Sequence, residues 1–450
     1  MKRTILAGAL GVLAGIAVAQ ETEGALPSTW TLQQCIDYAL EHNIALQQSK
    51  VSTQQQEISL LEQKAALFPS LSFSTNQNVS WRPWSESYTN LSNGTMTTSS
   101  SEVNYNGSYG LNASWTVWNG GRNLKNIDKA ELTTEISELS SDQQANSIQE
   151  QITQYYVQIL YQTEAVEVNK SLLKTSTAQR DRCQEMVNVG LMAKADLSTL
   201  QAQVTQDEYN VVSAQTQLAS YKLQLKQLLE LVMVDNFEVA IPSVDDSKVL
   251  APLPTIADVY AVAYSTRPEI QSSRLSIESA DLDISIARAG YWPSVSLSAG
   301  IGSSNTDDGG NFFDQLKTNM SNSLGLTISV PIFDNRSTRS SIQTAKLSKL
   351  NSQLDLQNAE QELYAQIETY WLNARSAQQQ YIYAKANEQS MADSYELVNE
   401  QFNVGLKNIV DLMQGKDNLL QAEQQLLQSK YTALLNIALL KFYQGETISL

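Results

Sequence analysis

The chain offers little with which to make or break bonds. It holds one histidine, His42, and two cysteines, Cys35 and Cys183, among 450 residues. A zinc site needs several nitrogen or sulfur ligands at close spacing, and a hydrolytic triad needs a positioned base. No HExxH, no Cys/His cluster and no Ser/His/Asp set can be assembled here. An enzyme is therefore not expected, nor a metal or other cofactor. The two cysteines fall in helical patterns of different elements, which points to free thiols. What does recur is a short stretch. Asn188-Val189-Gly190-Leu191 with Asp196-Leu197 returns 215 residues later as Asn403-Val404-Gly405-Leu406 with Asp411-Leu412. A glycine lets a helix end in a left-handed turn. An aspartate a few residues on can cap the next helix. Each copy reads as the tip of a helical hairpin, and the pair marks an internal duplication.

Composition narrows the class. The formal net charge is −17 and the pI about 4.6, which argues against nucleic acid as a partner. Residues 1–19 read as a signal peptide. Lys2 and Arg3 lead, an apolar run over 5–16 follows, and Ala17-Val18-Ala19 gives the cleavage site. That run is too short to span a bilayer, and no later segment reaches about 18 apolar residues. An exported chain of this kind can enter a membrane only with strands.

The tips are held by elements that follow one another in two repeats. Residues 20–231 form a first repeat, 232–255 a linker with Pro242, Pro252 and Pro254, and 256–450 a second repeat. A helical pattern opens at a capping Thr31 and runs to about Leu67. The period then switches from 3.6 to 2. Strands are expected over about 70–81 and 105–118, separated by a polar loop over 82–104. In the second, Tyr109, Leu111, Ala113, Trp115 and Val117 share a face against Ser108, Asn112, Ser114 and Thr116. Residues 122–187 then hold neither proline nor glycine, enough for a helix of roughly 100 Å. Ile152, Ile159 and Val166 mark a seven-residue spacing before the first tip (188–196), and Leu197, Val204, Val211, Leu218 and Leu225 another after it. The second half repeats this order. Phe68-Pro69-Ser70-Leu71 matches Trp292-Pro293-Ser294-Val295. Strands are expected over about 294–302 and 323–332, with a polar loop over 303–321 and a tip at 403–411.

The fold class is α+β and mostly α: four strands and long antiparallel helices in two repeats. Strands with one apolar and one Ser/Gly/Asn face suit a membrane barrel, with lipid outside and water inside. Aromatics near the strand ends suit interfacial girdles: Trp81, Trp84 and Tyr105 at one end, Phe68, Trp118, Trp292 and Phe333 at the other. Four strands cannot close a conducting barrel, so other copies of the chain must complete it. Eight strands are filled by their own side chains, which favours three copies or more.

In this order and spacing the residues resemble the TolC family of outer-membrane efflux proteins, over nearly the whole mature chain. Phe68-Pro69-Ser70-Leu71, Val330-Pro331-Ile332-Phe333-Asp334-Asn335, the two Val-Gly-Leu tips and the duplication carry the resemblance. It implies a homotrimer with a shared twelve-stranded barrel in the outer membrane of a Gram-negative bacterium. It also implies a helical tunnel, or α-barrel, through the periplasm. The tunnel docks on a periplasmic adaptor (membrane fusion) protein bound to an inner-membrane pump of RND, ABC or MFS type, for efflux or type I secretion. The resemblance gives Val189, Gly190, Leu191, Val404, Gly405 and Leu406 the adaptor-docking role. It assigns Asp411, Lys407 and the matching Asp196 to the periplasmic aperture. This chain departs from the family at Gln414, where a second acid is usual, and at Phe402, where a tyrosine is. The alternative is a barrel-anchored surface stalk or adhesin, which strand pairs inside both halves disfavour.

Overall fold

The structure, a computed structural model, describes residues 27, 29–81, 88–92, 95–99, 103–233, 237–242, 245–307 and 310–450. The predicted signal peptide and Trp84 lie outside the described residues. Strand β1 (Thr29–Trp30) and helices α1 (Leu32–His42) and α2 (Ile44–Ala65) lead to the long strand β2 (Ser70–Trp81). The hairpin β3 (Tyr88–Ser92) and β4 (Thr95–Ser99) precedes β5 (Val103–Asn119). Helices α3 (Arg122–Asn188) and α4 (Lys194–Leu228) make the first long hairpin. Strand β6 (Glu238–Val239) and helix α5 (Asp246–Val249) join the halves. The second half runs α6 (Ile256–Thr266), α7 (Pro268–Arg288), β7 (Ser294–Thr306), α8 (Phe312–Thr318), β8 (Ser321–Ser329), α9 (Ser337–Asn403) and α10 (Ile409–Tyr443).

Several elements differ from the sequence reading. The first helix is two. Asn43 leaves the helical backbone, accepts the Leu46 N–H at 3.2 Å, and so starts α2. Arg267 and Pro268 make the same break between α6 and α7, with proline at the first helical position. The polar stretch 82–104 is not all loop, since it holds the β3–β4 hairpin. Nor is 303–321: β7 continues to Thr306, and α8 follows. In 303–321 the amide side chains hold structure: Asn311 accepts the Phe313 N–H to cap α8, and Gln315 and Asn319 bond the end of β7.

Strands β2, β5, β7 and β8 form one antiparallel sheet in the order β2-β5-β7-β8. The two repeats therefore meet at its centre, where Ala113 faces Ala299 and Leu111 faces Ile301. A bulge lies between Thr116 and Trp118, and brings Trp118 opposite Val295, which itself faces Ile328. Trp118 thus joins the apolar face, and the simple alternation that placed Val117 there stops at the bulge. Among the described residues, the outer edges of β2 and β8 have no partner strand.

The main core lies at the other end of α2 and α7, as a belt around the long helices. Trp30, Cys35, Ile36, Ala39, Ile152 and Tyr156 meet Ile367, Tyr431, Leu439 and Leu440 there. Stretch 232–255 is more than a connector. Phe237, Val239 and Val249 are buried in this belt, and β6 pairs in parallel with β1. Arg267 is buried beside Glu150 at 3.2 Å and lies over the Tyr443 ring at 3.6 Å, so its charge is paired and stacked at the α6–α7 break.

Candidate functional site

The chemistry of the sheet follows from its register. Ser70, Ser114, Ser298 and Gly325 form one row across the four strands; Ser72, Asn112, Gly300 and Ser323 form the next. Ser70 and Ser114 share a hydrogen bond at 2.8 Å. None of the four strands contains Asp, Glu, Lys or Arg. This face can hydrogen-bond water and polar solutes but holds no fixed charge. The opposite face exposes Leu71, Phe73, Leu324, Leu326 and Ile328. Among the described residues, no helix is long and apolar enough to cross a membrane.

At the far end of the helices the two tips are built alike. Helix α3 ends with Gly190 N–H bonding Val187 O (3.0 Å) and Leu191 N–H bonding Met186 O (2.8 Å). Helix α9 ends with Gly405 N–H on Phe402 O (3.0 Å) and Leu406 N–H on Gln401 O (2.9 Å). This double bond pattern needs a left-handed residue, and φ is 81° at Gly190 and 77° at Gly405. The turn throws Val189, Leu191, Val404 and Leu406 outward, each 70% exposed or more. Four apolar side chains thus stand in solvent at one end of the molecule.

The aspartates do not cap. Helix α4 starts at Ala193 without a side-chain cap, and Asp196 lies inside its first turn. Helix α10 is capped by Asn408, whose Oδ1 accepts the Asp411 N–H at 2.9 Å. Both carboxylates therefore sit where the helix dipole favours them but leave their oxygens free for other partners. Lys407 Nζ is 3.4 Å from Asp411, an exposed pair one turn apart. Phe402 packs with Cys183, Leu200 and Ile409 in a small apolar cluster behind the tips. Burial there, with Asp196 nearby, pushes the Cys183 thiol up. Burial in the belt pushes the Cys35 thiol up to about 12. The cysteines are free and lie in separate clusters.

Between the belt and the tip cluster lies a polar layer that sequence reading missed. Lys416 of α10 bonds Asp207 of α4 and Ser176 of α3, the latter at 2.7 Å. The Lys416 and Asp207 side chains are only 3% and 5% exposed. Gln179 bonds Tyr395 and Asn399 at 3.0 Å each, tying α3 to α9. A signal for this layer existed: Asp207 falls between Val204 and Val211, on the buried seam, where an apolar residue belongs. Among the described residues, no group of three His, Cys, Asp or Glu could hold a metal ion.

The family model described as outer membrane efflux protein matches the chain twice, over residues 35–230 and 259–446. The outer membrane protein TolC of Escherichia coli (strain K12) is 25% identical over 365 residues, covering 73% of this chain and 72% of that protein. Among solved structures, CusC superposes with a TM-score of 0.75 at 17% identity, covering 92% of each chain. The outer membrane protein VceC of Vibrio cholerae gives 0.72 at 17% identity, covering 93% of this chain and 97% of its own.

Proposed function

We propose that this chain, which belongs to the outer membrane efflux protein family, is one third of a passive exit duct through the outer membrane of a Gram-negative bacterium. The observation that carries the reading is the open sheet. Among the described residues, strands β2 and β8 each leave an edge unpaired, beside an exposed apolar face. In lipid an unpaired edge is costly, and pairing β8 of one copy with β2 of the next removes it. Three copies make twelve strands, enough to leave a water-filled bore lined by the Ser/Asn/Gly rows. The helices repeat the logic. Ile44, Val51 and Ile58 expose a seven-residue stripe on α2, and Leu347, Leu350 and Leu354 expose apolar surface on α9. Closing one against the other continues the barrel as a helical tube in the periplasm. Residues 20–231 and 256–450 act as its two repeats, joined through 232–255.

The tips face the other way along the axis. Val189, Gly190, Leu191, Val404, Gly405 and Leu406 form the surface for a periplasmic adaptor protein. Their exposed side chains and the open space around both glycines support close approach. Asp411, with Lys407 and Asp196, supplies the charge of the aperture, since threefold symmetry gathers three carboxylates around one axis. An inner-membrane pump of RND, ABC or MFS type delivers the substrate, for efflux or type I secretion. The test is purified protein in detergent and in a planar bilayer. The expected result is a trimer by mass that conducts ions in discrete steps. A membrane-inserted monomer, or a trimer without conductance, defeats the reading.

A further inference from the structure

Helix α8 lies on the outward face of the sheet. The Tyr109 and Phe312 rings meet edge to face at 6.1 Å between centroids. Tyr109 stands opposite Ser303 in register, two residues from the Leu111–Ile301 pair, and so on the apolar side. Ser303 Oγ donates to Leu316 O at 2.7 Å. The helix is only seven residues long and could not stand alone. It is pinned by side chains. Buried Gln315 donates to Thr306 O (2.9 Å) and accepts from Thr306 N–H (2.8 Å), and Asn319 donates to Ser304 O (2.8 Å). These bonds turn polar groups inward and leave Phe313 76% and Met320 56% exposed. Met320 also lines a groove of about 420 Å³ with Leu71, Leu111, Ile301 and Leu324.

The helix sits where the outward face changes character. Below it that face presents Leu71, Phe73, Leu111, Ile301, Leu324 and Leu326. Above it, Gln77, Tyr105 and Asn305 gather over Gly107, and Tyr105 donates to Gln77, forming a polar row that separates the apolar face from Val79, Trp81 and Val103 at the strand ends. Amides and phenols do not belong among acyl chains. From Val330 to Met320, just beyond the two ends of β8, the chain rises roughly 33 Å along the strand. At a barrel tilt of 35–45° that is about 25 Å of height, the thickness of an apolar band. One border of the band falls at α8.

We propose that α8 is an interfacial anchor, seated at the headgroup–acyl boundary of the outer leaflet with Phe313 and Met320 among the lipid chains. This rests on the membrane-barrel reading above. It gives the second repeat a lipid-contact device where the first repeat carries the β3–β4 hairpin.

The test uses the full-length trimer in vesicles of phosphatidylcholine and phosphatidylglycerol, with Cys35 and Cys183 replaced by alanine. A nitroxide is attached at Phe313→Cys, and in separate samples at Leu326→Cys and Leu406→Cys. Collision with dissolved oxygen and with a water-soluble nickel chelate is measured by power saturation. At position 313, oxygen should broaden the signal several-fold more effectively than the chelate, at a depth of about 5–10 Å from the headgroups. Chelate access at 313 equal to that at 406 would place α8 in water and overturn the proposal. Protection at 313 from both reagents would mean a protein partner instead, and would also overturn it. Position 326 separates the two claims. If 326 reports lipid while 313 reports water, only the anchor fails; if 326 reports water, the barrel fails and the anchor with it.

Discussion

Replacing Lys416 by methionine keeps the length and much of the volume of the side chain but leaves Asp207 without its cation. Asp207 cannot turn to solvent, since its side chain is 5% exposed between α4 and α10. Breaking a buried ion pair from one side costs about 3–5 kcal/mol, because the remaining charge stays desolvated. Loss of the Ser176 hydrogen bond adds about 1 kcal/mol. The double variant Lys416→Met/Asp207→Leu has no stranded charge and should fall near the parent, or be more stable by about 1–4 kcal/mol. Ser176→Ala alone should cost about 1 kcal/mol. The polar layer lies between two apolar clusters, so the damage should be local to the tip-proximal half. Hydrogen exchange in the trimer, read over α10 from Asn408 to Leu419, should rise in Lys416→Met and return in the double variant. Exchange over the belt, around Ile437 to Leu440, should stay slow in both. Equal exchange in the single variant and the parent would refute the reasoning, because it would mean the pair is wet. A double variant as loose as the single one would refute it too, since packing rather than stranded charge would then be at fault.

Glu423 is raised to about 6, first by burial and then by Glu388 nearby. The folded chain holds this proton more tightly than the unfolded one, so its stabilising contribution is whole below about 4.5 and is lost as pH rises through about 6. Glu423→Gln should therefore melt higher than the parent at pH 7 and at the same temperature at pH 4. Arg336 opens α9 with φ 71°, where the first repeat has Gly121 at φ 80°. Arg336→Gly should gain up to about 1 kcal/mol in unfolding experiments by relieving that backbone. If Asp411 lines the aperture as proposed, Asp411→Asn should weaken cation preference and divalent-cation block, and Asp196→Asn much less. Reversal potentials in a salt gradient across a planar bilayer check this, and no change in an intact trimer would count against the aperture role.

The parts of the fold that a periodic pattern writes were legible. The tips were visible because only glycine takes the left-handed turn cheaply, and Gly190 and Gly405 recur with the same neighbours. The four membrane strands were visible because one face is held apolar and the other is Ser, Gly and Asn. The seams were visible as Ile152, Ile159, Val204, Val211 and Leu225, all buried. What escaped were features decided by contacts between distant segments. Asn43 ends a helix whose apolar pattern continues through it, and its Nδ2 bonds Leu228 O at 2.9 Å. Helix α8 has too few residues to show a period and is held by Gln315 and Asn319. One miss is local instead: the sequence allows Asp411 to cap α10, but Asn408, three residues earlier, fills that role.

The absence of acid and base from all four strands has an electrical consequence. Hydroxyl and amide dipoles can turn to face either sign of ion. A ring built from such strands would add resistance to a current without adding a diode. Any rectification measured in the assembled duct would then arise outside the sheet, in charged connections such as those holding Asp307, Asp314 and Lys317 or in the helices and their tips. Exchanging the whole sheet for another uncharged one, with those connections kept, should leave the shape of the current–voltage curve unaltered, so that this curve becomes a reading of the charges at the two ends of the duct.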